Sequence, residues 1–364
     1  MTQTAIPFHF LRGGTSRGPY LNRADLPTDR ETLAQVLIAM IGSGHPLNID
    51  GIGGGAAVTT KVAMLSRSDD DWADIDYFFA QVSVTDGQVD FKPTCGNILV
   101  GVGPAALEMG LIAPTGPRTE IRIRAVNTGA RVSAIVQTES GAVQYAGEAR
   151  IDGVPGTAAP VELMFRDVTG GVTGAMFPTG ERIDVIDGIA VSCIDVAMPM
   201  VIARAADFGL TGLESAAELD DNRDFYARME PLRQKAGALM GMGDVSASVT
   251  PKFGLIAPPV AGGTALTRYF MPRNCHPSLA VTGSQCLATC LLCPGTVGDG
   301  ITAALPDHGP TTLHLEHPMG VLDVSMDYRR DGDAFEVISA GLTRTARLLA
   351  RGEVFVPSAI WQGN

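Results

Sequence analysis

The sequence predicts an α+β protein of two similar domains, each a β-barrel-like sheet wrapped around a central apolar helix. Three observations predict it. Strand-like runs separated by turn signals recur along the chain, as in sheets that close or wrap rather than in a βαβ array. Two helical segments, residues 98–111 (ILVGVGPAALEMGL) and 285–293 (QCLATCLLC), are apolar nearly all round. A helix with no polar face has to be surrounded by protein or lipid, and these two are too short to span a membrane. Their contexts also match: VTTKVAML (58–65) lies upstream of the first and VTPKFGLI (249–256) upstream of the second, each V-T-x-K leading into an apolar strand.

Taken in order, residues 30–41 carry the apolar spacing of a surface helix. The run 74–84 (DIDYFFAQVSV) passes through TDGQ into 89–91 and reads as a hairpin with a glycine-containing turn. Residues 131–138 and 142–146 flank ESG in the same way, and 312–315 and 321–328 flank HPMG (317–320). Residues 220–240 read as a second surface helix. Lys61 precedes Cys95-Gly96-Asn97 by 34 residues, and Lys252 precedes Thr282-Gly283-Ser284 by 30. Each triplet places a small polar residue and a glycine just before a buried helix. These matches describe an internal duplication joined near 170–188, which divides the chain into domains 1–183 and 184–364, with the terminal strand free to cross back.

A chain of 364 residues is long enough for two such cores. Its 27 basic against 39 acidic residues leave a net charge of −12, which disfavours nucleic acid or an anionic membrane as partner. The N-terminus lacks the pattern of a secretory signal, and no window approaches 18 uncharged apolar residues. Six cysteines in so large a chain need no disulfide framework, so a cytoplasmic protein with reduced thiols is expected. Only four of the basic residues are Lys (61, 92, 235 and 252).

Cys95 stands at the predicted N-cap of a buried helix, where free N–H groups favour a thiolate; the bland alternative is a small buried hydrophobe. Lys61 opens an apolar strand in a chain that otherwise avoids lysine, as a usable acid or base or as a strand-edge charge reaching water. Arg12-Gly-Gly-Thr15-Ser16-Arg17-Gly18 offers hydroxyls, amides and guanidiniums to an anion, or is a surface turn. DGIGGG (50–55) lacks the spacing of a dinucleotide fingerprint. Cys290 and Cys293, with Cys286, have no partner cluster at metal-ligand spacing and read as core. His276 and His317 are single, so a structural role is the default, although Arg273 and His276 together suit a cleft.

RGGTSRG (12–18), DGIGGG with TTKVA (50–63), TCGNIL with GVGPAALE (94–108), NTG (127–129), IDGVPG (151–156), GDVS with PK (243–252) and CH with TG (275–283) together resemble the 4-oxalomesaconate tautomerases. These group with 2-methylaconitate and aconitate isomerases on the diaminopimelate epimerase fold. The resemblance covers essentially the whole chain. It implies an active site in the cleft between two similar domains, with Cys95 and Lys61 as the acid/base pair and no cofactor. It further implies a small di- or tricarboxylate substrate and a homodimer. Arg12, Thr15, Ser16, Arg17, Gly96, Asn97, Asn127, Lys252, Arg273, His276, Thr282, Gly283 and Ser284 are the expected substrate-binding residues. Epimerases of this fold place a second Cys where Thr282 stands, which disfavours two-thiol racemisation. Members of the family carry Asp-Asn-Gly-Met-Pro where this chain has DVAMP (195–199). The expected reaction is a 1,3-proton transfer on oxalomesaconate in gallate or protocatechuate catabolism. The alternatives are methylaconitate or aconitate isomerisation, and a non-catalytic binding protein on the same fold.

Overall fold

The computed structural model describes residues 2–151, 153–271 and 273–363. Asp152, within the IDGVPG motif, lies outside the described residues. The chain forms two compact units, Met1–Met164 with Thr343–Asn364, and Phe165–Leu342.

The first unit holds β1 (Gln3–Gly13), β2 (Ser16–Asn22), α1 (Arg30–Ile41), β3 (Lys61–Arg67), β4 (Ile75–Val82), β5 (Val89–Asp90), α2 (Gly96–Val100), α3 (Val102–Glu108), β6 (Arg118–Ala125), β7 (Ala130–Gln137) and most of β8 (Pro160–Arg166), whose last two residues fall in the second. The second holds β9 (Asp184–Ile186), β10 (Ile189–Asp195), β11 (Pro199–Arg204), α4 (Ala216–Asp221), α5 (Arg223–Leu239), β12 (Lys252–Ala257), β13 (Ala265–Phe270), α6 (Val281–Leu292), β14 (Thr311–His317) and β15 (Gly320–Asp331). The last strand, β16 (Ala334–Pro357), begins in the second unit and finishes in the first.

In the first unit the strands follow the order β1-β2-β3-β4-β6-β7-β8-β16, and β16 pairs back onto β1, closing a barrel. Inside it α2 lies against β1, β2 and β3, and α3 against β3 and β7. The segment read as one helix over 98–111 is two pieces: Pro104 has no N–H to give the carbonyl of Val100, and Gly101 bonds back to Ile98 instead. Helix α1 matches its expected span. Asp29 caps its first turn by accepting from the Thr32 amide, Gly42 ends it in the left-handed region, and Leu33, Val36, Leu37, Met40 and Ile41 form the buried stripe.

The second unit repeats the plan. From β1 to β7 the pairings run antiparallel, parallel, antiparallel, parallel, antiparallel. From β10 to β15 they run in the same sequence. Lys61 and Lys252 each open the third strand of their set. The α2/α3 pair and α6 both follow the fourth strand. The duplication sensed in the V-T-x-K motifs is therefore one of topology. Helix α6 packs against β10, β11, β12, β14 and β15, and buries Cys286, Cys290 and Cys293. Burial pushes the Cys290 thiol up to about 12 and that of Cys293 to about 11, as suits inert core groups.

Three further expectations change. Residues 142–146 form no strand, because β8 takes the free edge of β7. The 220–240 helix breaks at Asn222, which caps α5 by accepting from the Phe225 amide. Residues 165–183 cluster with the second unit. There Asp195, a buried carboxylate, accepts from the amides of Val172 and Thr173 and from the Thr173 hydroxyl, tying that segment to β10. The β10–β11 hairpin that follows holds Ala197 at φ +61°. A side chain there is strained, and Ala197→Gly is expected to raise unfolding stability by about 1 kcal/mol, read as a shift of the denaturant midpoint. An unchanged midpoint would show that this loop relaxes at no cost. Among the described residues no helix is long and apolar enough to cross a membrane.

Candidate active site

Lys61 is placed by its two preceding threonines. The Thr59 hydroxyl donates to the carbonyl of Ala56, closing a single helical turn, and the buried Thr60 hydroxyl donates to Val82. The next residue opens β3 opposite Gln81 of β4. Tyr20 pairs with Ala63, so Gly18 of β2 stands beside Lys61; a Cβ on Gly18 would lie 1.8 Å from the Lys61 carbonyl oxygen. The two strands approach this closely only because residue 18 has no side chain.

Cys95 is the N-cap residue of α2, as expected, but its side chain makes no capping bond. The sulfur turns to Lys61 instead, with Nζ 3.2 Å from Sγ. Two buried tyrosines hold the backbone behind it. Tyr77 Oη donates to the carbonyl of Cys95 at 3.4 Å, and Tyr20 Oη donates to that of Ile98 at 2.6 Å. Burial, and after it the neighbouring Cys95, push both phenols well above the ordinary range, so they remain donors. The Lys61 ammonium also sits 5.6 Å from the centre of the Phe79 ring. Neither Tyr20 nor Tyr77 was singled out from sequence; each reads there only as an apolar-strand residue.

The RGGTSRG loop folds over the start of α2. Gly14, at φ +52°, lies where a Cβ would stand 2.1 Å from Asn97 Oδ1, and the Asn97 amide donates to the Thr15 hydroxyl at 3.0 Å. Thr15 and Asn97 are thus engaged with each other beside Cys95. Above Gly96 there is open space, since an added Cβ would meet nothing within 4 Å. Ser16 is buried, on the same face of β2 as Gly18 and Tyr20, and its hydroxyl has no partner among the described residues. Arg12 and Arg17 pair across β1 and β2, so they share a face; Arg17 lies between Ser16 and Gly18, so that face is the outer one. Asn127 is used structurally. Its side chain donates to the carbonyls of Phe79 and Phe91 and accepts from the Phe79 amide, so both of its N–H groups are spent on the backbone.

In the second unit Lys252 is half-buried at the head of β12. Burial, then the nearby Arg233 guanidinium, lower its pKa from the usual lysine value. The helix start differs from its counterpart. The N-cap is Ala280, so Thr282, Gly283 and Ser284 lie inside the first turn of α6. Ser284 spends its hydroxyl on the carbonyl of Val281, and Gly283 is packed on the Tyr269 ring. Only Thr282 is exposed, with its hydroxyl 3.3 Å from the Met198 sulfur. His276 packs edge-on to Tyr269 and its Nδ1 accepts from the Ser278 amide, so the remaining proton resides on Nε2 in the neutral ring. Arg273 is exposed.

A thiol and an amine side by side, with two buried tyrosines holding the backbone behind them, can between them take and give protons at nearby positions of one substrate. The comparisons with known proteins point to an isomerase. YbhH of Escherichia coli (strain K12) is 49% identical over 352 residues, covering 97% of this chain and 99% of YbhH. A (4E)-oxalomesaconate Delta-isomerase from Novosphingobium sp. (strain KA1) is 44% identical, covering 97% of this chain and 98% of that protein. The crystal structure of a methylitaconate-delta-isomerase superposes with a TM-score of 0.89 at 33% identity, over 99% of this chain and 97% of that one. The family model described as PrpF protein matches residues 3–357. The chain is an isomerase and belongs to the PrpF protein family.

Proposed function

We propose that the protein moves a carbon–carbon double bond of 4-oxalomesaconate by a 1,3-proton transfer, as a step in the catabolism of aromatic acids such as gallate or protocatechuate. The observation that carries this reading is the 3.2 Å contact between Lys61 Nζ and Cys95 Sγ. The substrate is an unsaturated keto-tricarboxylate. Its allylic C–H is acidic because the electron pair left behind spreads through the alkene into the ketone as a dienolate. The Cys95 thiolate takes that proton, and the Lys61 ammonium delivers one to the carbon two positions away. The Cys95 thiol then returns its proton to Lys61 across their contact, which restores both groups. Both proton transfers are made by side chains on one side of the substrate, in keeping with Thr282 standing where an epimerase has its second thiol.

The likeness to an isomerase of oxalomesaconate supports the substrate, and the likeness to an isomerase of methylitaconate supports the reaction class more broadly. Proton NMR of turnover in deuterium oxide tests both together. With 4-oxalomesaconate, 2-methylaconitate and aconitate assayed side by side, oxalomesaconate is expected to give the highest kcat/KM. Solvent deuterium is expected at the carbon that gains the proton. A higher kcat/KM for methylaconitate would move the assignment to that substrate, and inversion of a stereocentre without double-bond movement would replace the mechanism by racemisation.

A further inference from the structure

The outer face of the first barrel carries three arginines in one row. Arg12 of β1 pairs directly with Arg17 of β2 on one side and with Arg347 of β16 on the other. Like charges directly opposite one another on adjacent strands destabilise a sheet. Elsewhere the barrel cancels its outward arginines: Arg122 is 2.8 Å from Asp74, and Arg124 is 2.6 Å from Asp76. The row of three has no carboxylate partner among the described residues. Arg12 spends Nη1 on the carbonyls of Gly14 and Thr345, and the Arg17 guanidinium lies 5.9 Å from the centre of the Phe10 ring, with its Nη2 beside Gly54. Burial, and after it the Arg347 guanidinium, lower the pKa of Arg12 from the usual arginine value.

The row forms one side of a cavity of about 470 Å³, walled by apolar groups of Val154 and Leu349 and by Tyr145, whose hydroxyl is spent on Glu108. Val154 belongs to the IDGVPG motif. The residue before it, Gly153, is close enough to Thr15 that an added Cβ would stand 3.2 Å from its methyl group.

We infer that this cavity is a second binding site, for a small molecule carrying two or three carboxylates. Adjacent strands are about 4.8 Å apart, so the outer two of three neighbours are about 10 Å apart at the backbone. Charges spread that way match separate carboxylates on a carbon skeleton better than one compact phosphate, and a guanidinium presents two parallel N–H groups to each carboxylate. The apolar wall then covers the skeleton. The site stands on the opposite face of β2 from Ser16 and Gly18, and so is distinct from the Lys61–Cys95 pair.

Isothermal titration with propane-1,2,3-tricarboxylate, which is saturated and does not turn over, tests the site on the intact protein. Arg347→Gln is expected to weaken one binding component by roughly tenfold or more, and Arg347→Glu to abolish it. Both variants should keep wild-type turnover without added ligand and a melting temperature no lower than wild type. Lys61→Met should leave this component in place, so the result is read whatever the substrate of the Lys61–Cys95 pair proves to be. An isotherm unaffected by either Arg347 variant would overturn the inference. Displacement of the tricarboxylate by equimolar inorganic phosphate would overturn the assignment to carboxylates.

Discussion

Lys61→Met and Cys95→Ser are each expected to lower kcat by about 10²–10⁴-fold, the usual contribution of one positioned acid or base. Methionine keeps the length and packing of the lysine stem and removes the exchangeable proton. Serine keeps the shape of the cysteine and replaces the thiol by a hydroxyl, which does not ionise usefully near neutrality. Both side chains are only partly buried and neither closes a backbone gap, so circular dichroism and melting temperature should stay near wild type. Lys61→Arg separates two roles. It preserves the positive charge beside Cys95, but a guanidinium with a pKa above about 12 holds its proton too firmly to deliver it. Loss of turnover in Lys61→Arg would identify proton donation as the role of residue 61, and retained turnover would reduce that role to electrostatic stabilisation. Wild-type kcat in both Lys61→Met and Cys95→Ser would remove the pair from the reaction.

Gly18→Ala is expected to be the most damaging single methyl group in the first barrel. Its Cβ would lie 1.8 Å from the carbonyl oxygen of Lys61, and the obstacle is backbone rather than the movable end of a side chain. Relief requires β2 and β3 to part, which costs hydrogen bonds of the ladder in addition to the overlap, about 3 kcal/mol in all. The displaced residue is Lys61 itself, so kcat should fall along with the denaturant midpoint. Gly171→Ala is the control: an added Cβ there meets nothing within 4 Å and the backbone is in an ordinary region, so both readouts should be unchanged. A Gly18→Ala protein with wild-type stability and kcat would show that this strand pair has slack the close approach denies.

The legible part of the fold was its periodic part. Helix 30–41 announced itself by its apolar spacing, a local signal, and the structure adds the Asp29 cap and the terminal Gly42. The hairpins at 85–88 and 317–320 were marked by their turn residues, and β4 with β5 and β14 with β15 pair as those turns require. The strand expected at 142–146 failed because strand formation there depends on which edge is free. That edge is taken by β8, whose residues come later in the chain. The N-cap of α6 was misplaced for a related reason. Ala280 has no side-chain signal, whereas the T-G-S that follows imitates a cap while sitting inside the first turn.

The candidate site divides along the same line. Composition and motif alone brought forward Lys61, a rare lysine opening an apolar strand, and Cys95, a cysteine entering a buried helix. Their type carries the chemistry, and type is written in the sequence. Which partner each meets is a matter of distance, and distance across a barrel is set by closure. The parallel pairing of β2 with β3 and the approach of α2 beneath it bring Nζ within 3.2 Å of Sγ although 34 residues separate them. The strand pleat likewise decided that Ser16 faces inward with Gly18 while Arg12 and Arg17 face outward. Seven consecutive residues that read as one anion-binding motif are therefore split between two faces of a sheet. By itself the sequence determined the family, through the resemblance its motifs carry, and put forward Lys61 and Cys95 as the candidate pair, because both rest on which residue types stand in which order. Only the tertiary structure decided that Asn127 is a backbone brace, that Tyr20 and Tyr77 hold the helix behind Cys95, and that three arginines from β2, β1 and β16 stand in one row with no carboxylate partner among the described residues. Side-chain direction and cross-strand neighbours do not exist until the strands have paired.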